Sequence, residues 1–138
     1  MNPGIWRHLV RLGWFAALAV FFAVVPLKAQ RIYSSSGSFT ARWDGDRLYS
    51  ESGRYVGRLD GTQVYGASGS LLGRLDGERL YTSSGKLLGR TEGDRWFDAS
   101  GRYLARWDGD RLYDASGRLL YRFDGVRRTQ AVVYYFFF

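Results

Sequence analysis

The chain has 138 residues, no cysteine, a single histidine (His8) and a formal charge of +7. That length suits one domain, and the absence of cysteine excludes a disulfide framework and any thiolate nucleophile or metal site. The positive balance favours anionic partners without naming one.

Residues 1–29, MNPGIWRHLVRLGWFAALAVFFAVVPLKA, differ in kind from the rest. Arg7 and Arg11 precede sixteen uncharged, largely apolar residues, and Leu27-Lys28-Ala29 closes the run. This is the pattern of a secretory signal peptide, with cleavage expected after Ala29. The alternative is an N-terminal membrane anchor, for which sixteen residues fall short of the about 20 needed to cross a bilayer. Cleavage would take three of the twenty basic residues, leaving seventeen against thirteen acidic ones, a net of +4, and no histidine. The expected location is therefore exported: periplasm, cell envelope or secreted.

A period of 16 residues runs without insertion from Arg31 to Val126, with units beginning at Arg31, Arg47, Gln63, Arg79, Arg95 and Arg111. Ser-Gly recurs from Ser36-Gly37 to Ser116-Gly117, and Asp-Gly from Asp44-Gly45 to Asp124-Gly125, with Glu92-Gly93 once in its place. Both pairs are turn chemistry. Asp-Gly tolerates the two positive φ angles of a two-residue hairpin loop. Segments such as Asp114-Ala115-Ser116-Gly117 read as four-residue turns closed by a left-handed glycine.

Each unit is then a short strand ("DRLY"), a turn, a longer strand ("RLLYRF") and a turn. The fold class expected for residues 30–126 is all-β: six 16-residue hairpin repeats forming a shallow closed antiparallel barrel of about twelve strands. Closure removes the two sheet edges that an open row of hairpins would expose.

Centring the loop on Asp108-Gly109 sets Trp107 opposite Asp110, Arg106 opposite Arg111, and Ala105 opposite Leu112. One face then carries Trp107, Leu112, Leu119 and Ala105, a position held by Gly57, Gly73 and Gly89 in three units. That face is expected inside. Arg106, Arg111, Tyr113 and Leu120 are expected outside.

Two arginine rows mark the outer face. Arg42, Arg58, Arg74, Arg90, Arg106 and Arg122 recur in all six units; Arg31, Arg47, Arg79, Arg95 and Arg111 recur in five and are expected opposite them. Like charges directly opposite cost a few tenths to about 1 kcal/mol. Two explanations are open. The guanidinium groups stack on Tyr33, Tyr49, Tyr65, Tyr81, Phe97 and Tyr113 and are partly neutralised by the turn acids. Alternatively they form an anion-binding band for lipid phosphate, lipopolysaccharide or acidic glycan.

The tail, residues 127–138, ends in eight uncharged, apolar or aromatic residues, 131–138, where chain ends are usually polar. Tyr134, Tyr135, Phe136, Phe137 and Phe138 are candidates either to plug the barrel or to enter a membrane interface. Their β-branched and aromatic make-up favours extended chain. Strands of roughly 4–6 residues argue against a spanning barrel, which needs about 9–11.

No catalytic set is legible. Without histidine or cysteine in the expected mature chain, the commonest general bases and nucleophiles are missing. The paired acids, such as Asp108 and Asp110, recur at the turns, which points to structure. No cofactor and no metal site is expected. The expected partners are an anionic membrane surface or an acidic glycan. The alternative function is a protein- or carbohydrate-binding repeat module with the tail as a structural plug, and nucleic acid is not expected.

The unit Y-x-x-S-G-x-φ-φ-G-R-φ-D-G, with φ here an apolar residue, resembles the β-flower proteins over residues 31–126. These are small bacterial proteins whose hairpins radiate around an axis. In shape they are similar to the Tubby C-terminal barrel, threaded by an apolar helix and binding phosphoinositides. The resemblance implies a petal-like closed barrel, compatibility with a short helix as plug, and a lipid role by shape analogy alone.

Overall fold

A computed structural model describes residues 29–138. Twelve strands follow one another: β1 (Gln30–Ser34), β2 (Phe39–Asp44), β3 (Arg47–Ser50), β4 (Tyr55–Asp60), β5 (Gln63–Gly66), β6 (Leu71–Asp76), β7 (Arg79–Thr82), β8 (Leu87–Glu92), β9 (Arg95–Asp98), β10 (Tyr103–Asp108), β11 (Arg111–Asp114) and β12 (Leu119–Asp124). A helix, α1 (Arg128–Phe137), ends the chain. Each strand pairs antiparallel with its sequence neighbours, and β1 pairs with β12, where Ile32 faces Phe123. The barrel is closed. The signal-peptide or anchor expectation falls on residues outside the described segment, apart from the junction at Ala29.

The turns lie one residue later than the Asp-Gly reading places them. Asp108 pairs with Arg111, so the two-residue loop is Gly109-Asp110. Gly109 has φ 64° and, among the described residues, no non-glycine residue has positive φ, the φ pattern of a type II′ turn. Glycine alone takes the left-handed angle, so the aspartate stays in the strand. The register moves accordingly: Trp107 faces Leu112, Arg106 faces Tyr113, and Ala105 faces Asp114.

At the Ser-Gly end, the amide of Gly117 donates to Asp114 O at 3.0 Å and that of Asp114 donates to Arg118 O at 2.8 Å. Gly117 has φ 85°, closing the turn in the left-handed region. The following strand then bulges. Leu112 faces Tyr121 and Tyr113 faces Leu119, which leaves Leu120 as the extra residue. Leu120 packs against the core together with its equivalents Val56, Leu72, Leu88 and Leu104. The expected faces of Leu119 and Leu120 are therefore exchanged, because one inserted residue inverts the alternation beyond it.

The tail is helical rather than extended. In a closed barrel every strand already has two partners, so a segment in the lumen must satisfy its own backbone groups, which a helix does. Gln130 anchors its first turn: the Arg127 amide donates to Oε1 at 3.3 Å, and Nε2 donates to Gly45 O at 2.9 Å. Gln130, Ala131, Val132 and Val133 are buried. The helix therefore enters from the end bearing the Gly-X turns and runs toward the Ser-Gly end.

Candidate functional site: the outer arginine belt

Alternation and bulge together aim four side chains of each unit outward. Nearest the Ser-Gly end is a ring of aromatic and aliphatic pairs, among them Tyr33 opposite Phe39, Tyr49 opposite Tyr55, and Tyr65 opposite Leu71. Next to it runs the arginine belt. The two rows face each other, but across the bulged hairpin rather than the Gly-X turn. The pairs are Arg31 with Arg42, Arg47 with Arg58, Arg79 with Arg90, Arg95 with Arg106, and Arg111 with Arg122. In the third unit Gln63 faces Arg74.

Across the Gly-X turn, each first-row arginine meets an aromatic ring. Arg42 lies over Tyr49 at 4.6 Å, Arg58 over Tyr65 at 4.4 Å and Arg74 over Tyr81 at 4.6 Å. Arg90 lies over Phe97 at 4.4 Å and Arg106 over Tyr113 at 5.2 Å, and Arg122 closes the ring over Tyr33 at 4.4 Å. Each contact at an exposed site is worth about 0.5–1 kcal/mol. Stacking fixes the guanidinium plane while leaving its edge in solvent: the Arg42 and Arg106 side chains are 42% and 46% exposed.

The turn acids form a crown beyond the belt. Arg42–Asp44, Arg90–Glu92 and Arg106–Asp108 approach within 3.9, 3.7 and 3.7 Å. These exposed pairs contribute at most about 1 kcal/mol each. At the Ser-Gly end the Asp98 and Asp114 carboxyls are held below the usual carboxylate range by the hydroxyls of Ser100 and Ser116 and by the backbone amides of Arg102 and Arg118. They serve the turns. Among the described residues no group of three acidic, histidine or cysteine side chains is placed to hold a metal ion.

The terminal aromatics line the lumen. Tyr134 packs edge-on against Tyr121 with centroids 5.4 Å apart, and Tyr135 packs edge-on against Trp96 at 5.4 Å. Burial pushes the Tyr134 phenol up to about 12 and raises that of Tyr135. Phe136, Phe137 and Phe138 lie against Gly89, Gly73 and Gly57, where a Cβ would come within 2.5, 2.5 and 2.6 Å of the respective rings. Phe138 remains 39% exposed at the Ser-Gly end.

Sequence reasoning missed two contributors at the opposite end. Arg127 pairs with Asp46 at 3.5 Å, and Arg128 donates to the carbonyl of Gly93. Their only signal was position, as the last basic residues before an apolar tail.

A family model described as "5-fold beta-flower protein" matches residues 29–138. The chain belongs to the β-flower family. This β-flower closes six Ser-Gly hairpins, with five Gly-X turns between them and the β1–β12 seam at the sixth place. Comparison with curated proteins and with solved structures finds no match.

Proposed function

We propose that this β-flower is a non-enzymatic, exported module of the cell envelope that binds phosphate-bearing anionic surfaces through its arginine belt. The observation that carries the reading is the belt's register: arginines face one another across the strands in five of six units, and one arginine of each pair lies over an aromatic ring. Guanidinium forks match phosphate geometry, and stacking reduces the rotamer freedom lost on binding.

Charge placement sets how a surface approaches. Acids at the Gly-X turns, including Asp44, Glu92 and Asp108, are exposed beyond the belt. They oppose end-on contact by that rim with an anionic bilayer. The belt is reached from the side, so a flat surface meets an arc of it. In this reading the tail serves the core: Ala131 to Val133 are buried and Tyr134 to Phe137 half-buried. Export rests on the signal-like pattern of residues 1–29.

The test is vesicle flotation of residues 30–138, with phosphatidylglycerol and phosphatidylcholine vesicles at low and high salt. Binding to the anionic vesicles alone, abolished by salt, is the expected result. No flotation of the folded protein would overturn the membrane reading. Retention on an acidic glycan without vesicle binding would move the belt to that ligand.

A further inference from the structure

The third unit separates what the fold needs from what the belt carries. Gln63 stands where five units have arginine, and the strand pairing is the same: Gln63 faces Arg74 as Arg79 faces Arg90. Arg74 still stacks over Tyr81 at 4.6 Å. The Tyr65 hydroxyl donates to Gln63 Oε1 at 2.6 Å. Barrel closure and the first-row stacking therefore do not require a second arginine, although Arg31 and Arg95 also lie over Phe39 and Tyr103, at 5.8 and 5.9 Å. Yet five units keep one, against a repulsion of a few tenths to about 1 kcal/mol each.

We infer that each cross-strand arginine pair is a receptor for one phosphate-type oxyanion, giving five equivalent sites, with the Gln63–Arg74 place a sixth that lacks one arm. The inference rests on the proposed anion-binding function and assigns its stoichiometry. Two arginines in cross-strand register can turn their forks to several oxygens of one tetrahedral anion, whose charge would relieve the repulsion between them. The turn carboxylates do not block this: their contacts are 3.7–3.9 Å long and the acids 66–73% exposed. Neighbouring pairs lie two strands apart, about 10 Å around the wall. A ligand displaying phosphates at that spacing engages several sites, and the second contact then benefits from a high effective concentration.

The experiment follows arginine Nε–Hε resonances of the full-length chain during titration with inorganic phosphate. The paired arginines should saturate together, and Arg74 at least tenfold later. Gln63→Arg, which copies the residue of the other five units, should bring Arg74 into line. If Arg74 saturates with the rest in the unaltered chain, the paired-site inference fails and the belt reading stands. If Arg102 and Arg118, beside the Ser-Gly turns, respond equally, or the belt does not respond, both fail. Repeating the titration with short-chain phosphatidylglycerol and phosphatidylcholine micelles separates the sources. A response to phosphatidylglycerol identifies a lipid headgroup; a response to inorganic phosphate alone keeps the sites and assigns them a soluble phosphate.

Discussion

The outside of the barrel keeps its six-fold repeat, and the inside abandons it. Around the wall the same arginine lies over an aromatic ring six times, at 4.4–5.2 Å. In the lumen, one set of equivalent positions reads Ala41, Gly57, Gly73, Gly89, Ala105 and Tyr121. The glycines occupy one arc, against Phe138, Phe137 and Phe136. The opposite arc carries Trp96, Trp107, Tyr121 and Phe123 in a connected aromatic cluster. A single helix has no six-fold symmetry, so a repeat wall can hold it only by losing its own. Symmetry survives where the wall meets solvent.

Changes in the lumen should therefore cost stability, and changes in the belt should cost binding. The largest expected effect is truncation after Thr129, which removes the helix and leaves Ile32, Leu48, Val64 and Trp96 facing an empty lumen. Loss of cooperative unfolding and strong binding of a hydrophobic dye should follow; a cooperatively folded truncated chain would show that the helix is dispensable. Next is Trp96→Ala, which removes the ring stacked on Trp107 and touching Tyr135 and Phe136. It should cost about 3–5 kcal/mol in denaturant unfolding.

Gly73→Ala tests the other arc. Its Cβ would meet the backbone carbonyl of Tyr81 at 2.1 Å as well as the Phe137 ring. A loss of about 1–3 kcal/mol is expected, and Phe137→Leu should recover only part of it, since the carbonyl remains. Full recovery would place the whole clash on the phenyl ring.

A smaller effect concerns alkaline pH. The Tyr134 phenol titrates near 12 in the fold, against an ordinary 10, because burial disfavours its anion. The unfolded chain then releases this proton first, so stability should fall as pH rises from about 10 toward 12. Tyr134→Phe should flatten that decline, and an unchanged alkaline limb would place the loss at other tyrosines.

The repeat made the barrel legible. An even period of 16 keeps every unit in one orientation, and turn chemistry at two fixed offsets demands antiparallel neighbours. The phase was less legible. Asp-Gly fits a turn with both residues left-handed as readily as Gly-Asp fits one with glycine first, and only pairing distinguishes them. The bulge left no mark at Leu119-Leu120, where the inward and outward residues are both leucine. The arginine–aromatic belt could be read as side-chain types on one face, but its pairing partners depended on that phase. The helix contradicts local preference, because enclosure outweighs the β tendency of Val132-Val133-Tyr134-Tyr135. Three consecutive phenylalanines against three lumen glycines were the clue to the plug's place.

The most direct test replaces the five second-row arginines, Arg31, Arg47, Arg79, Arg95 and Arg111, with glutamine. This copies the residue the third unit already holds at Gln63. Thermal unfolding and phosphatidylglycerol vesicle binding are read on the same sample, beside a five-lysine variant that preserves charge. The expected results are an unfolding temperature unchanged or slightly raised, binding abolished by glutamine, and binding weakened but present with lysine. Undiminished vesicle binding by the folded glutamine variant would contradict the anion-binding role of the belt.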